Sequence, residues 1–234
     1  MMSVVIPTYN EEKNIEKCLK SLLNQTLPKR EYEIIVVDGE SKDNTVKIAK
    51  RYADKVINQK SKGVGGARND GVGVSNGDII ATTDADCIVP MNWLERVKSN
   101  FEDRSIVMLY GPFKPLEDCL KNRVLLKISE VIMYTLYKSH IFYATLGANC
   151  AIRKEVFISV GKYKELPAAD DYELAIRIKR LGKIKYDKSL HLKFSLRRMK
   201  KIGIIQTVYE CVLYPIKLIF HADIKCKNYN KFDY

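Results

Sequence analysis

An α/β fold built on a mainly parallel sheet is what this sequence predicts, on three observations. Short β-branched runs (Ser3 to Ile6, Glu33 to Val37, Lys55 to Ile57, Ile79 to Thr83) read as buried strands. Segments of helical periodicity lie between them, and strands alternating with helices imply right-handed crossovers and a sheet covered on both faces. Polar residues that could carry chemistry (Tyr9, Asp38, Asp84 and Asp86) fall just past the strand ends, where such sheets gather ligands.

Taken in order, Ser3 to Ile6 is a strand stopped by Pro7. Asn10 is placed to cap the next helix, with Glu11 and Glu12 complementing its positive end. Ile15, Leu19 and Leu22 recur at helical spacing, so that helix is expected to run to about Asn24. Asp38-Gly39 ends the second strand. Ser41 is a candidate cap for a helix to about Tyr52, with Val46 and Ala49 facing inward. The glycine-rich stretch from Gly63 to Gly71 reads as a loop. It lacks G-K-[ST] and does not follow a strand as a dinucleotide fingerprint does. The fourth strand ends in Asp84-Ala85-Asp86.

Past Trp93 the pattern is looser. Ile106 to Gly111 reads as a strand, and Leu116 to Phe142, apolar and basic, as a helix or helix pair. Gly147 to Arg153 is extended, Lys154 to Val160 a short helix, Asp170 to Leu181 a helix stopped at Gly182, and Lys183 to Tyr186 an edge strand. Ile202 to Phe220 is mostly apolar but interrupted by Gln206, Glu210, Pro215 and Lys217. An amphipathic arm is expected there, not a membrane span. The reading is one domain over 1–190, in halves at 1–100 and 101–190, and an arm at 191–234.

The 234 residues carry a formal net charge of +12, and +6 of it lies in residues 191–234. A basic tail suits nucleic acid, anionic lipid or a phosphorylated substrate, or it is simply a solvated surface. Six cysteines without a C-x-x-C pair argue against zinc and against a secreted disulfide framework, and for reduced thiols in the cytosol. The N-terminus enters a strand directly, with no leader pattern.

Asp84 and Asp86 are two apart, so on an extended chain they share a side. Like charges placed so closely repel unless a cation intervenes or one group takes a proton. Hard divalent cations are held by one or two carboxylates together with substrate phosphates. The pair therefore reads as a metal-assisted diphosphate site, against the plainer alternative of a solvated turn.

Six motifs in order carry a resemblance. They are Val4-Val5-Ile6-Pro7-Thr8-Tyr9-Asn10-Glu11, the run from Val36 to Thr45, Gly66-Ala67-Arg68-Asn69, Asp84-Ala85-Asp86, Gly147-Ala148-Asn149 and Asp170-Asp171-Tyr172-Glu173-Leu174. Over roughly residues 3–190 the chain resembles glycosyltransferase family 2, the inverting transferases of GT-A fold. That resemblance implies a nucleotide-diphosphate-sugar donor and a divalent metal, Mn²⁺ or Mg²⁺. Pro7 and Tyr9 would line the nucleoside pocket, with Glu11 among the donor-binding residues. Asp38 would accept from the base, a uracil-type ring in the commonest case, and Arg68 would reach base or phosphate. Asp84 would contact ribose or metal, and Asp86 the metal. Asn149 and Asp170 would lie on the acceptor side. Asp171 would be the general base, although relatives have Glu where this chain has Asp170.

Arg197 and Arg198 stand where relatives place a basic motif near the donor phosphates; the alternative is a solvated patch. The Q-x-x-R-W of processive polymerases is missing. His191 is set aside as a packing or surface residue. The cysteine usage and the basic, apolar C-terminal region fit a cytoplasmic enzyme, and the reading is one that builds a cell-surface glycan or loads a polyprenyl-phosphate carrier. The 191–234 arm would rest on the membrane, or pack on the domain or on a second copy. Nucleic acid is not expected as a partner. The rivals are a catalytically inactive UDP- or membrane-binding relative and a sugar-nucleotide nucleotidyltransferase; the latter's Gly-rich segment is replaced here by Pro7-Thr8-Tyr9-Asn10.

Overall fold

The computed structural model describes residues 1–140, 143–166, 169–197, 201 and 203. In chain order the elements are β1 (Met2–Thr8), α1 (Ile15–Leu23), β2 (Tyr32–Asp38), α2 (Thr45–Ala49), β3 (Lys55–Asn58), α3 (Gly63–Gly73), β4 (Ile79–Thr82) and β5 (Cys87–Ile88). There follow α4 (Trp93–Asn100), β6 (Ile106–Tyr110), β7 (Phe113–Pro115), α5 (Leu120–Ser139), β8 (Cys150–Arg153), α6 (Lys154–Ser159), α7 (Asp170–Ile178), β9 (Lys183–Tyr186) and β10 (Leu192–Phe194).

The main sheet has the order β3-β2-β1-β4-β8-β6-β9. Its strands run parallel except β8, which is antiparallel to both neighbours. Every residue of β2 is buried, as both faces of a covered parallel sheet require. Alternate residues feed the two cores. Val4, Ile6, Ile34 and Val36 pack with Ile15, Leu19 and Leu22 of α1, while Val5, Ile35 and Val37 pack with Ala67 and Val72 of α3. A smaller sheet, β5-β10-β7, lies beyond the Asp84-Ala85-Asp86 turn.

Several expectations are corrected. β1 runs through Pro7 to Thr8, pairing with β2 as far as Asp38. Pairing of β1 with β4 stops at Val5, so the N–H that Pro7 lacks would have met no partner strand. Asn10 is no cap: it has a left-handed backbone (φ 51°), its side chain accepts from the Lys42 amide at 2.8 Å, and α1 begins only at Ile15. Ser41 likewise caps nothing and turns back onto Asp38, and α2 is only five residues long.

The stretch expected to be a glycine loop is the helix α3. Its glycines serve close packing: a Cβ at Gly71 would lie 2.4 Å from Val5 Cγ1, and one at Gly65 2.3 Å from Asp170 Oδ2. The expected Ile202–Phe220 helix lies outside the described residues, apart from position 203.

Candidate active site

Parallel strands bring their carboxyl ends to one rim. Thr8 pairs with Asp38 across β1 and β2, and the β4 end at Thr82 pairs with Val5. The reversed strand β8 delivers its amino end to the same rim, where Cys150 pairs with Thr82 and Tyr110. The turn before it, Gly147–Asn149, therefore sits beside the Asp84-Ala85-Asp86 segment. The first residues of α7, Asp170 and Asp171, close the group.

Arg68 ties these parts together. It leaves the interior of α3 almost wholly buried, and its guanidinium reaches Asp84 at 3.0 Å and Asp171 at 3.1 Å. Burial disfavours its charge, but Asp171 and Asp84 outweigh that and hold it protonated well beyond the ordinary range. Asp171 also accepts from the Gly147 amide at 2.8 Å. Both carboxylate oxygens of Asp171 are thus oriented, one by a guanidinium and one by backbone. Gly147 has no room for a side chain, since a Cβ there would sit 2.2 Å from the Arg68 guanidinium and 2.5 Å from Asp171.

A second arginine organises the other side. Arg197 hydrogen-bonds Glu11 and lies 3.3 Å from Asp86 Oδ2. It is delivered by β10, whose continuation Ser195 and Leu196 is held by the Glu117 carboxylate at 2.7 and 3.1 Å. The row is Glu11, Arg197, Asp86 and then Asp84, Arg68, Asp171, with Asp170 alongside.

Five carboxylates with two arginines leave an excess of negative charge. Its mark is on the pKa values. Burial, then the charge of Asp84, push the Asp86 carboxyl up to about 7 against the pull of Arg197. Burial, then Asp171, push Asp170 up to about 7. Glu11 is raised as well, mainly by burial.

Among the described residues, no three His, Cys, Asp or Glu side chains gather closely enough to enclose a metal ion. Asp84 and Asp86 nonetheless fit a hard divalent cation that completes its shell with phosphate and water. Burial first, and then the charge of Asp84, raise the Asp86 pKa, and a cation beside the two carboxylates would offset both.

Of the other candidates, Pro7 and Tyr9 are half-buried at the rim. Asp38 is there too, but both its oxygens accept from Ser41, at 2.6 and 2.9 Å. Arg68, expected to reach base or phosphate, faces Asp84 and Asp171. Asn149, expected on the acceptor side, has a fully buried side chain that accepts from Trp93 Nε1 at 3.0 Å and donates to the carbonyls of Pro112 and Leu190, so it ties the core together beneath the rim. Arg198 lies outside the described residues. Sequence reasoning missed Glu117 and Ser195, which position Arg197; no local pattern announces a pairing across 78 positions.

The chain matches the family model for glycosyl transferase family 2 over residues 3–161. The chain belongs to that family. A relative in Methanococcus voltae, the dolichyl N-acetyl-alpha-D-glucosaminyl phosphate 3-beta-D-2,3-diacetamido-2,3-dideoxy-beta-D-glucuronosyltransferase, is 38% identical over 166 residues, 68% of this chain and 50% of its own. The fold is similar to that of the mannosyltransferase PcManGT from Pyrobaculum calidifontis, solved in complex with GDP-Man and Mn²⁺ (TM-score 0.76, 22% identity, 97% of this chain and 65% of that one). It is also similar to Staphylococcus aureus TarS 1-349 in complex with UDP-GlcNAc (TM-score 0.70, 22% identity, 96% and 68%). At that identity the likeness is one of fold, and it is the GT-A fold that the family resemblance implies. The chain spans half or less of the length of the first curated relatives it matches.

Proposed function

We propose that this chain is a divalent-metal-dependent, inverting glycosyltransferase that moves a sugar from a nucleotide-diphosphate donor, a UDP-sugar in the first instance, to a glycan or polyprenyl-phosphate-linked acceptor. The observation that carries the reading is the Asp84–Arg68–Asp171 bridge. It fixes the end of β4 and the start of α7 at one place, so a donor-side carboxylate and a candidate base cannot drift apart.

In this reading Asp171 accepts the proton of the attacking hydroxyl. Its partners Gly147 and Arg68 set its direction, and a base must lie within about 3 Å of the proton it takes. Departure of the nucleoside diphosphate builds negative charge beside Asp84 and Asp86, and a bound Mn²⁺ or Mg²⁺ would supply Lewis-acid stabilisation of that charge. Arg197 occupies part of that ground and would turn from Asp86 and Glu11 to the diphosphate when a donor enters. Pro7 and Tyr9 would border the nucleoside. The Methanococcus voltae relative's name supports a lipid-linked acceptor and the Mn²⁺ complex of PcManGT supports the cation. No helix among the described residues is long and apolar enough to cross a membrane. The expected place of action is the cytoplasmic face, with the 191–234 arm as a peripheral contact.

Asp170 is a second candidate base, because it adjoins Asp171 at the start of α7, and burial and then the charge of Asp171 raise its carboxyl above the ordinary carboxylate range. Single Asp171→Asn and Asp170→Asn variants decide between them. Transfer to acceptor is expected to fall about 10²–10⁴-fold in Asp171→Asn, with UDP–Mn²⁺ affinity kept. Unimpaired transfer by that variant, with loss in Asp170→Asn, reassigns the base.

A further inference from the structure

The helix α5 is apolar on its outer side as well as on the side that packs on the domain through Leu126, Met133, Tyr134 and Tyr137. Leu120, Val124, Ile128 and Val131, spaced by four, four and three, form one stripe and are 77%, 51%, 53% and 56% exposed. The opposite face carries Asn122 and Met133, which are buried against the domain. Other exposed large apolar residues among those described are scattered singly, except Ile132 at the edge of this stripe. A contiguous exposed apolar strip on an otherwise satisfied domain marks an interaction surface.

The flanks say what kind. Lys121, Arg123, Lys127 and Lys138 surround the stripe, against a single acid on the helix, Glu130, already paired with Lys127 at 2.8 Å. Arg123 is paired with Asp118. Lys121 and Lys138 have no carboxylate within salt-bridge distance among the described residues. An apolar ridge bordered by cations is what lies flat in the boundary between anionic headgroups and acyl chains, and α5, with its five charges, is no membrane span.

The placement adds to this. Glu117, just before α5, holds the segment that delivers Arg197. Tyr134 and Tyr137 pack on Tyr186 at the sheet rim, and beyond the helix Thr145 donates to the Asp171 carbonyl at 2.9 Å. Both ends of α5 are thus moored to the candidate active site.

We propose that the outer face of α5 docks on an anionic membrane surface and sets the acceptor side of the rim against it. This stripe belongs to residues 120–131, not to the 191–234 arm of the proposed function, and its test is independent of the donor chemistry. The full chain is floated with phosphatidylcholine vesicles, with and without an equal share of phosphatidylglycerol, as wild type and as Val124→Glu/Ile128→Glu. Both positions are exposed, so the fold survives, which circular dichroism checks.

Wild type is expected to float with the anionic vesicles only, and the double variant to lose that partition by about tenfold or more. A Lys121→Glu/Lys127→Glu variant is expected to lose it too. Flotation of the Val124→Glu/Ile128→Glu chain equal to wild type overturns the proposal, as does no wild-type binding. Two further results also overturn it. One is a dimer in sedimentation that the same substitutions abolish without any vesicle binding, which makes the occupant a second copy. The other is vesicle binding gained only when the chain is cut after residue 203, which makes the occupant the remainder of this chain.

Discussion

Gly147 shows how little latitude the site allows a single residue. Its missing side chain is the space in which Arg68 and Asp171 meet. Gly147→Ala is expected to splay that ion pair by about an ångström and cost about 10²-fold in transfer with far-UV circular dichroism unchanged, since small misplacements of reacting groups carry penalties of that size. Asp86 makes the complementary point about charge. Its folded pKa of about 7 lies above the ordinary 3.8 of a free aspartate, so the native state binds the extra proton between those values and stability falls as pH rises through that window. Asp86→Asn, melted with chelator present, is expected to be more stable than wild type by about 1–3 kcal/mol at pH 8. The figure follows from roughly 1.4 kcal/mol for each pH step separating the folded and unfolded values, less the lost contact to Arg197. Below pH 4 the gain is expected to vanish; equal melting temperatures at both pH values would mean that the carboxylate carries no strain.

In the proposed function, the segment that brings Arg197 is the element on which donor entry would turn. β10 pairs with both β5 and β7, and Glu117 fastens the residues after it. A guanidinium bridging Asp86 and Glu11 stands where a cation would bind, so the two compete. Arg197→Ala is therefore expected to tighten Mn²⁺ binding without nucleotide and to weaken UDP binding in the presence of Mn²⁺, each by about tenfold, as for a charge-assisted hydrogen bond. Calorimetry reads both, and a loss on both counts would remove the competition.

This element was also the least legible in the sequence. β5, β7 and β10 are two or three residues long, too short for any periodicity to declare itself, and their partners come from distant parts of the chain. By contrast β1, β2 and β4 were plain, because burial on both faces forces unbroken β-branched runs. The error over α3 has a physical cause. Glycine weakens a helix on its own account, and here contact with Val5 and Asp170 overrides propensity, which no window of sequence records.

For the molecule as a whole, the motif order told which residues meet at the rim, while the pairings within it were hidden. Asp171 and Arg68 are 103 positions apart, and nothing in either motif says that they touch. Because the assembled rim carries surplus negative charge, occupancy by cation and diphosphate should be felt globally. With Mn²⁺ and UDP at about a hundred times their dissociation constant the folded state gains about 2.7 kcal/mol. For a chain of this size that is about 5–10 °C in melting temperature. UDP with chelator is expected to give little of it, and a full rise under chelation would argue against a shared site.

The reversal of β8 has a consequence for how the protein is made. β4 gains its second neighbour only when Cys150 arrives, 68 residues after Thr82. A nascent chain that has not yet reached Cys150 lacks the strand that pairs with β4 on that flank. Synthesis must pass Arg153 before that flank closes, and must reach Asp171 before the Arg68 guanidinium has both its carboxylates.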